Sequence, residues 1–313
     1  RQFLKGAAVA GAATTIAMPA IAQSMPTFKW RLTSGFPKSL DTIYGASETV
    51  AKYVREMTDG RFEIQTFGAG EIVGGLQSVD AVSNGTVEMS NTAIYYNFGK
   101  DPAFGLATAV PFLMSKRAQD AWMLDGGGEK LLNDFLGKHN IVAFEGGNTG
   151  CQMGGWWRKE IRNVEDLKGV KMRIGGSGGA VISRLGVVAQ QIAGGDIYPA
   201  LERGTIDAAE WVGAYDDEKL GFNKVARFYY YPGWWEGGAV LHTLVNTAKW
   251  AELPKHYQAI LRGASAYANT EMCAKYDARN PAALKRLLAS GTQLRAFPQD
   301  VMAACFDAAK EAY

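Results

Sequence analysis

Short apolar runs alternate with longer amphipathic stretches along most of the chain. Lys29–Ser34 reads as a strand, and Asp41–Thr58 reads as a helix capped by Asp41, with Ile43, Val50, Val54 and Met57 on one face. Asp59-Gly60 turns into a strand over Arg61–Phe67. A helix over Leu76–Asn84 stops at Gly85, and Val87–Thr92 is a further strand. Strands alternating with helices predict an α/β fold with a largely parallel sheet.

One pattern occurs twice. Ala81-Val82-Ser83-Asn84-Gly85-Thr86-Val87-Glu88 matches Ala200-Leu201-Glu202-Arg203-Gly204-Thr205-Ile206-Asp207, 119 residues later. Each is a helix ended by a glycine able to take positive φ, feeding straight into a buried strand. Two readings stay open: a common helix–glycine–strand junction, or two lobes of similar construction. A second lobe would run from about Gly147 to Trp235. It would hold strand Val170–Ile174, helix Gly179–Leu185, strand Val188–Ile192 and the strand after Thr205. Val240–Val245 reads as a strand returning to the first lobe. Pro254–Lys275 and Ala282–Ser290 read as two long helices against that lobe or the hinge, and Pro298–Tyr313 as a last helix. That helix has no cap or glycine at its end, which suggests that the sequence is clipped there.

Composition narrows the classes. The 313 residues are 47% hydrophobic and 20% charged, an ordinary globular balance, and no run of about 18 strongly apolar residues appears. Residues 1–22 read as an export signal. They have a basic start (Arg1 to Lys5), a weakly apolar run Gly6–Ile16, and Ala20-Ile21-Ala22 as an A-x-A cleavage site. Arg1-x-Phe-Leu-Lys looks like the second half of a twin-arginine motif. The expectation is therefore an N-terminally clipped, exported chain, with Sec or Tat left open. Beyond residue 22 the chain holds 31 basic and 31 acidic residues, a balance without an electrostatic footprint for nucleic acid. Cys151, Cys273 and Cys305 lack C-x-x-C spacing and read as small apolar side chains, with a disulfide between two of them left open. The three histidines lie far apart, so neither zinc nor haem ligation has a motif.

Gly175-Gly176-Ser177-Gly178-Gly179 satisfies G-x-S-x-G between a strand and a helix, which would make Ser177 a nucleophile. Four glycines around one serine meet that pattern trivially, and no oxyanion segment accompanies it. A flexible turn whose backbone N–H groups approach a small anion is the better reading. A second set of residues is more informative. Arg173 lies near the carboxyl end of a predicted strand, where open α/β sheets bind ligands. Glu210 and Trp211 end another. Glu236 sits in Gly233-Trp234-Trp235-Glu236-Gly237-Gly238, and Gln152 opens the second lobe.

These segments, with Phe36-Pro37-Lys38-Ser39-Leu40-Asp41, Phe98-Gly99-Lys100-Asp101-Pro102, Gly146-Gly147-Asn148-Thr149-Gly150, Gln190-Gln191-Ile192-Ala193-Gly194-Gly195-Asp196-Ile197-Tyr198 and Tyr215-Asp216-Asp217-Glu218-Lys219-Leu220-Gly221, carry a resemblance. The chain resembles the extracytoplasmic solute-binding proteins of tripartite ATP-independent periplasmic (TRAP) transporters, the DctP-type family, and within it the α-keto acid–binding branch. The resemblance implies a two-lobed α/β periplasmic binding protein fold with hinge strands and long C-terminal helices. The expected division is 26–146 as the first part of lobe 1, 147–236 as lobe 2, and 237–313 as a return to lobe 1 plus hinge and C-terminal helices.

By position, the resemblance makes Arg173 the arginine that grips a substrate carboxylate. It places Gln152, Glu210, Tyr95 and Tyr96 at the substrate, and Gln152, Glu210, Glu236 and the Trp211 carbonyl around a cation. Asn97-Phe98 departs from the Tyr-Trp of close relatives, which implies a different pocket size. The implied role is periplasmic capture of a small 2-oxo monocarboxylate, pyruvate-like, for delivery to TRAP membrane permease subunits. A homodimer is implied for the full-length protein, and no catalysis. The alternatives are a 2-hydroxy acid such as lactate, or a secreted serine hydrolase using Ser177. Oxygen ligands select Na⁺ or Ca²⁺. Counting +1 for Arg173, −2 for the glutamates and −1 for the substrate leaves −2, which favours Ca²⁺, whereas the resemblance favours Na⁺.

Overall fold

The computed structural model describes residues 25–313, so the expected export signal at residues 1–22 lies outside the described residues. The strands are β1 (Phe28–Ser34), β2 (Phe62–Phe67), β3 (Met89–Thr92), β4 (Ile141–Asn148), β5 (Trp156–Trp157), β6 (Lys171–Arg173), β7 (Val188–Gln190), β8 (Ala208–Ala209), β9 (Phe228–Tyr231), β10 (Val240–Asn246) and β11 (Gln293–Ala296). They form two sheets of order β2-β1-β3-β10-β4 and β11-β9-β5-β8-β6-β7, which makes a two-lobed α/β fold.

The sheets are mixed rather than largely parallel. β10 runs antiparallel to both β3 and β4, and β5 runs antiparallel to both β8 and β9. Each of these two strands arrives from the other lobe, so it enters its sheet in the reverse sense.

Burial follows the expected faces with one exception. Ile43, Val50 and Val54 are buried, but Met57, in the last turn of the helix Gly45–Met57, is 55% exposed. Asp41 is not a cap. Tyr44 holds that position without a side-chain hydrogen bond, and Asp41 instead pairs with Lys219 and Arg279. The expected pair of long helices is one helix, Lys255–Ala289, which runs through Pro281. It packs Leu261, Ala268, Met272 and Tyr276 into the same core as Trp30, Leu32 and Val50.

The tail also differs from expectation. β11 pairs with β9, and the helix Gln299–Ala312 buries Val301, Cys305 and Ala309 with Trp157, Met172 and Val181. The end of the 237–313 segment therefore adds to the second sheet instead of returning to the first.

Candidate functional site

β6 is three residues long and ends on Arg173, which the sheet thrusts towards the interface of the lobes. The side chain is 1% exposed, and its partner Glu210 is wholly buried two residues beyond the start of β8. Arg173 Nη1 donates to Glu210 Oε1 and, over 2.8 Å, to the Glu210 carbonyl, while Nε donates to the Ile192 carbonyl at 3.1 Å. The guanidinium lies 5.0 Å from the centre of the Trp211 ring, a cation–π contact. Trp211 Nε1 in turn donates to buried Asp216 at 3.4 Å, and Tyr276 donates to the same oxygen at 2.7 Å.

The four other predicted residues reach this place from loops and a short turn. Gln152 and Glu236 belong to loops joined by a hydrogen bond from the Gly233 N–H to the Gln152 carbonyl, 3.0 Å long. Tyr95 and Tyr96 come from the first lobe, on the short turn Ile94–Asn97 after β3. The glycine run explains how the lobes meet so closely. Gly176 has φ +55°, and a Cβ there would lie 2.3 Å from the Tyr95 ring. The Gly175 N–H does approach an anion, but it is the chain's own Glu210 Oε1, 3.0 Å away.

Arg173, Gln152, Tyr95, Tyr96 and Trp211 line one cavity of about 10 Å³, completed by apolar groups including Phe36, Ile43 and Leu241. That is far below the ordinary range for drug-sized ligands, about 300–1,000 Å³, so the lobes are closed tightly around these residues. Sequence reasoning missed the apolar wall, although Phe36 and Thr149 lie inside segments it singled out.

Four buried polar atoms around this cavity have no protein partner: Arg173 Nη2, Gln152 Oε1, Glu210 Oε2 and Glu236 Oε2. The Trp211 carbonyl accepts no backbone hydrogen bond among the described residues. Unsatisfied buried groups are costly, and their convergence is a ligand signal. Burial first, and the Glu210 charge second, push Glu236 up to about 8, against the pull of Tyr95, Arg173 and Gln152. Burial also raises Glu210, opposed by Arg173 and the Gly175 N–H. Burial pushes Tyr96 up to about 12, so both tyrosines stay neutral. No group of three His, Cys, Asp or Glu side chains able to hold a metal exists among the described residues. The available donor set is instead two carboxylates, one amide oxygen and one carbonyl. All are hard oxygens, which fit Na⁺ or Ca²⁺ and not zinc.

Ser177 does not sit in a nucleophile's setting. Its hydroxyl donates to the Ala109 carbonyl of the first lobe at 3.2 Å, and no histidine contacts it among the described hydrogen bonds.

The chain is similar to known proteins in both sequence and fold. Residues 33–313 match the family model DctP, bacterial extracellular solute-binding protein, family 7. The monocarboxylate 2-oxoacid-binding periplasmic protein of Nostoc sp. is 53% identical over 310 residues, covering 97% of this chain and 85% of the relative. The solute-binding protein of a Bordetella bronchiseptica TRAP transporter, solved with copurified calcium and picolinate, is 51% identical with a TM-score of 0.90, covering 91% of this chain and 85% of that one. A TRAP periplasmic solute-binding protein of Pseudoalteromonas atlantica, solved with sodium and pyruvate, is 41% identical with a TM-score of 0.88, covering 91% and 87%.

Proposed function

The chain belongs to the DctP family of bacterial extracellular solute-binding proteins, and we propose that it captures a small 2-oxo monocarboxylate together with a cation. Proteins of this kind bind small solutes outside the cytoplasm and work with membrane permease subunits. No helix among the described residues is long and apolar enough to cross a membrane.

The observation that carries the reading is the set of four unpartnered atoms at one buried place. Arg173 Nη2 is a free charge-assisted donor suited to a carboxylate oxygen. Gln152 Oε1, Glu210 Oε2, Glu236 Oε2 and the Trp211 carbonyl are the oxygens that would hold the cation. When bound, the cation supplies positive charge between two glutamates and an anionic ligand. Tyr95 and Tyr96 close the first-lobe side, and Phe36, Ile43 and Leu241 supply an apolar wall that a short alkyl group would face. Na⁺ is the proposed ion, with Ca²⁺ as the alternative, since relatives hold either. A 2-hydroxy acid could make the same chelate, but the likeness to the 2-oxoacid-binding Nostoc protein favours the 2-oxo acid.

The test is a pyruvate titration by calorimetry in metal-stripped buffer with choline as the only added cation, repeated with Na⁺ and with Ca²⁺. Each ligand should tighten the other by one common factor, because binding linkage is reciprocal. Equal affinity in all three buffers, with elemental analysis showing no retained metal, removes the cation from the site. Lactate binding more tightly than pyruvate replaces the 2-oxo acid by the 2-hydroxy acid.

A further inference from the structure

Cys151 lies beside Gln152 in the loop between β4 and β5, with its thiol exposed. Cys273 sits half-buried on the long helix Lys255–Ala289. The two come from distant parts of the chain to one place. A Cβ on Gly150, the residue before Cys151, would lie 3.3 Å from the Cys273 sulfur and 3.5 Å from Asp277 Oδ1. Neither thiol has a strong partner. Cys151 reaches only the Gly237 carbonyl and Cys273 only Asp277, each at 3.9 Å. Lys116 and Asp120 complete the charged surroundings of Cys273, and Lys116 packs against Gly238, next to the carbonyl that Cys151 reaches. The third cysteine, Cys305, is buried in the second lobe among Val301 and Ala309.

We propose that Cys151 and Cys273 are a redox pair, oxidised in the exported protein to a disulfide that pins the Gln152 loop to the long helix. The proposal rests on the extracellular reading of the family, since such bonds persist only in oxidising compartments. The exposed Cys151 acts first. Its thiolate attacks a disulfide-form thiol oxidant, whose own S–S bond breaks and releases one thiolate. Cys273, its proton given to solvent, then attacks the Cys151 sulfur and expels the second. Two electrons and two protons leave the protein, and the oxidant ends as two thiols. Burial raises the Cys273 thiol, so the second step is the slower one. The finished bond closes a chain segment of more than a hundred residues and holds Gln152 against the element that packs on the first sheet.

The test uses protein exported to the periplasm, trapped in acid, alkylated and digested without reduction. The expected map contains a Cys151–Cys273 linked peptide, with Cys305 alkylated only after unfolding. Reductant should lower the melting temperature by on the order of 5 °C and should not shift it in C151S or C273S. Alkylation of both thiols in the trapped native protein overturns the proposal, as does linkage through Cys305 or between two chains. The peptide map needs no ligand, so failure of 2-oxo acid binding leaves this result readable on its own.

Discussion

The two lobes are built on the same frame and carry different chemistry. Read from the outer strand, β2-β1-β3-β10-β4 has the same arrangement as β7-β6-β8-β5-β9, with the visiting antiparallel strand fourth in both. The repeated segments occupy equivalent places, each closing a helix and entering the third strand. Val87 N–H donates to the Ala81 carbonyl as Ile206 N–H donates to that of Ala200. Even the strand-entry carboxylates match. Glu88 accepts from the Arg31 N–H at 2.7 Å, and Asp207 accepts from the Lys171 N–H at 3.1 Å.

The register then aligns Leu32 and Met89 with Met172 and Ala208, and one step further Thr33 and Ser90 with Arg173 and Ala209. At these next positions the first lobe has a hydroxyl pair and the second a buried arginine. Asn91 of the first lobe corresponds to Glu210 of the second. Backbone hydrogen bonding is indifferent to that exchange, so the frame repeats while the charge is confined to one lobe. The first lobe contributes neutral tyrosines and an apolar wall.

The sharpest way to break this contrast is to alter the matched positions. Arg173→Ala should cost about 2–5 kcal/mol of 2-oxo acid binding, roughly 30-fold to several thousand-fold in affinity. Thr33→Val, at the corresponding place, should change affinity less than threefold. Calorimetry on variants with native circular dichroism decides it, and comparable losses in the two would abolish the asymmetry. Arg173→Ala strands the buried Glu210 carboxylate, so Arg173→Ala/Glu210→Gln is the control for stability.

Next in size is a comparison of two buried acids. Glu145 of β4 and Glu236 each have one oxygen without a partner, but only Glu236 faces Glu210 and Tyr95. Glu236→Gln should weaken the proposed cation by about 10–100-fold, and through it the 2-oxo acid, because a ligating charge is removed. Glu145→Gln should leave the cation dependence of the titration intact. A loss of cation coupling in Glu145→Gln would move the site towards the first lobe.

Legibility in the sequence followed the range of the interactions. The strand end at Arg173 and the duplicated junction were readable because each is fixed by local pattern. The ion pair of Arg173 with Glu210 was not, since it depends on which strands become neighbours across 37 residues. Asp41 has the side chain of a cap, yet Lys219 and Arg279, remote in sequence, supply opposite charges that a cap position lacks. Pro281 forbids one intrahelical hydrogen bond, which in isolation suggests a break. The helix continues because its faces are fixed on both sides of the proline, with Asn280 accepting from the Tyr215 N–H at 3.0 Å. The amphipathic pattern of Gln299–Ala312 tells which face is buried but not against which sheet.

A property the lobes share is a buried acid that resists ionisation. Burial pushes Asp217 of the second lobe and Glu145 of the first each up to about 7. The folded value lies above the unfolded one, about 4, so the folded state holds a proton that the unfolded state has released. This contribution to stability is complete below pH ~4, declines as pH rises towards 7, and is absent above it. Urea melts should therefore show Asp217→Asn gaining on the parent between pH 5 and 8 by on the order of 1–3 kcal/mol. Glu145→Gln should gain in the same direction and by less, since a glutamate starts from a higher ordinary value than an aspartate and both reach about 7. A pH-independent difference in either variant would place that acid's pKa near its ordinary value.

The smallest expected effect tests the shared frame most directly. Gly85 and Gly204 end the two matched helices at φ +77° and +72°, a region that side-chain-bearing residues rarely enter. Alanine at either position should cost about 1 kcal/mol, because the left-handed backbone must be kept while a Cβ is added. The surroundings differ only slightly. A Cβ at Gly85 meets nothing within 4 Å, whereas one at Gly204 would lie 2.8 Å from Arg158 Nη1, the free end of a long side chain that can move aside. Gly204→Ala should therefore exceed Gly85→Ala by a few tenths of a kcal/mol at most, and neither should alter ligand affinity, since neither junction borders the cavity. Urea denaturation with both variants at unchanged m measures this. Costs differing by more than about 1 kcal/mol would mean that the two junctions bear unequal strain despite equal backbone angles, and that the likeness of the lobes ends at their topology.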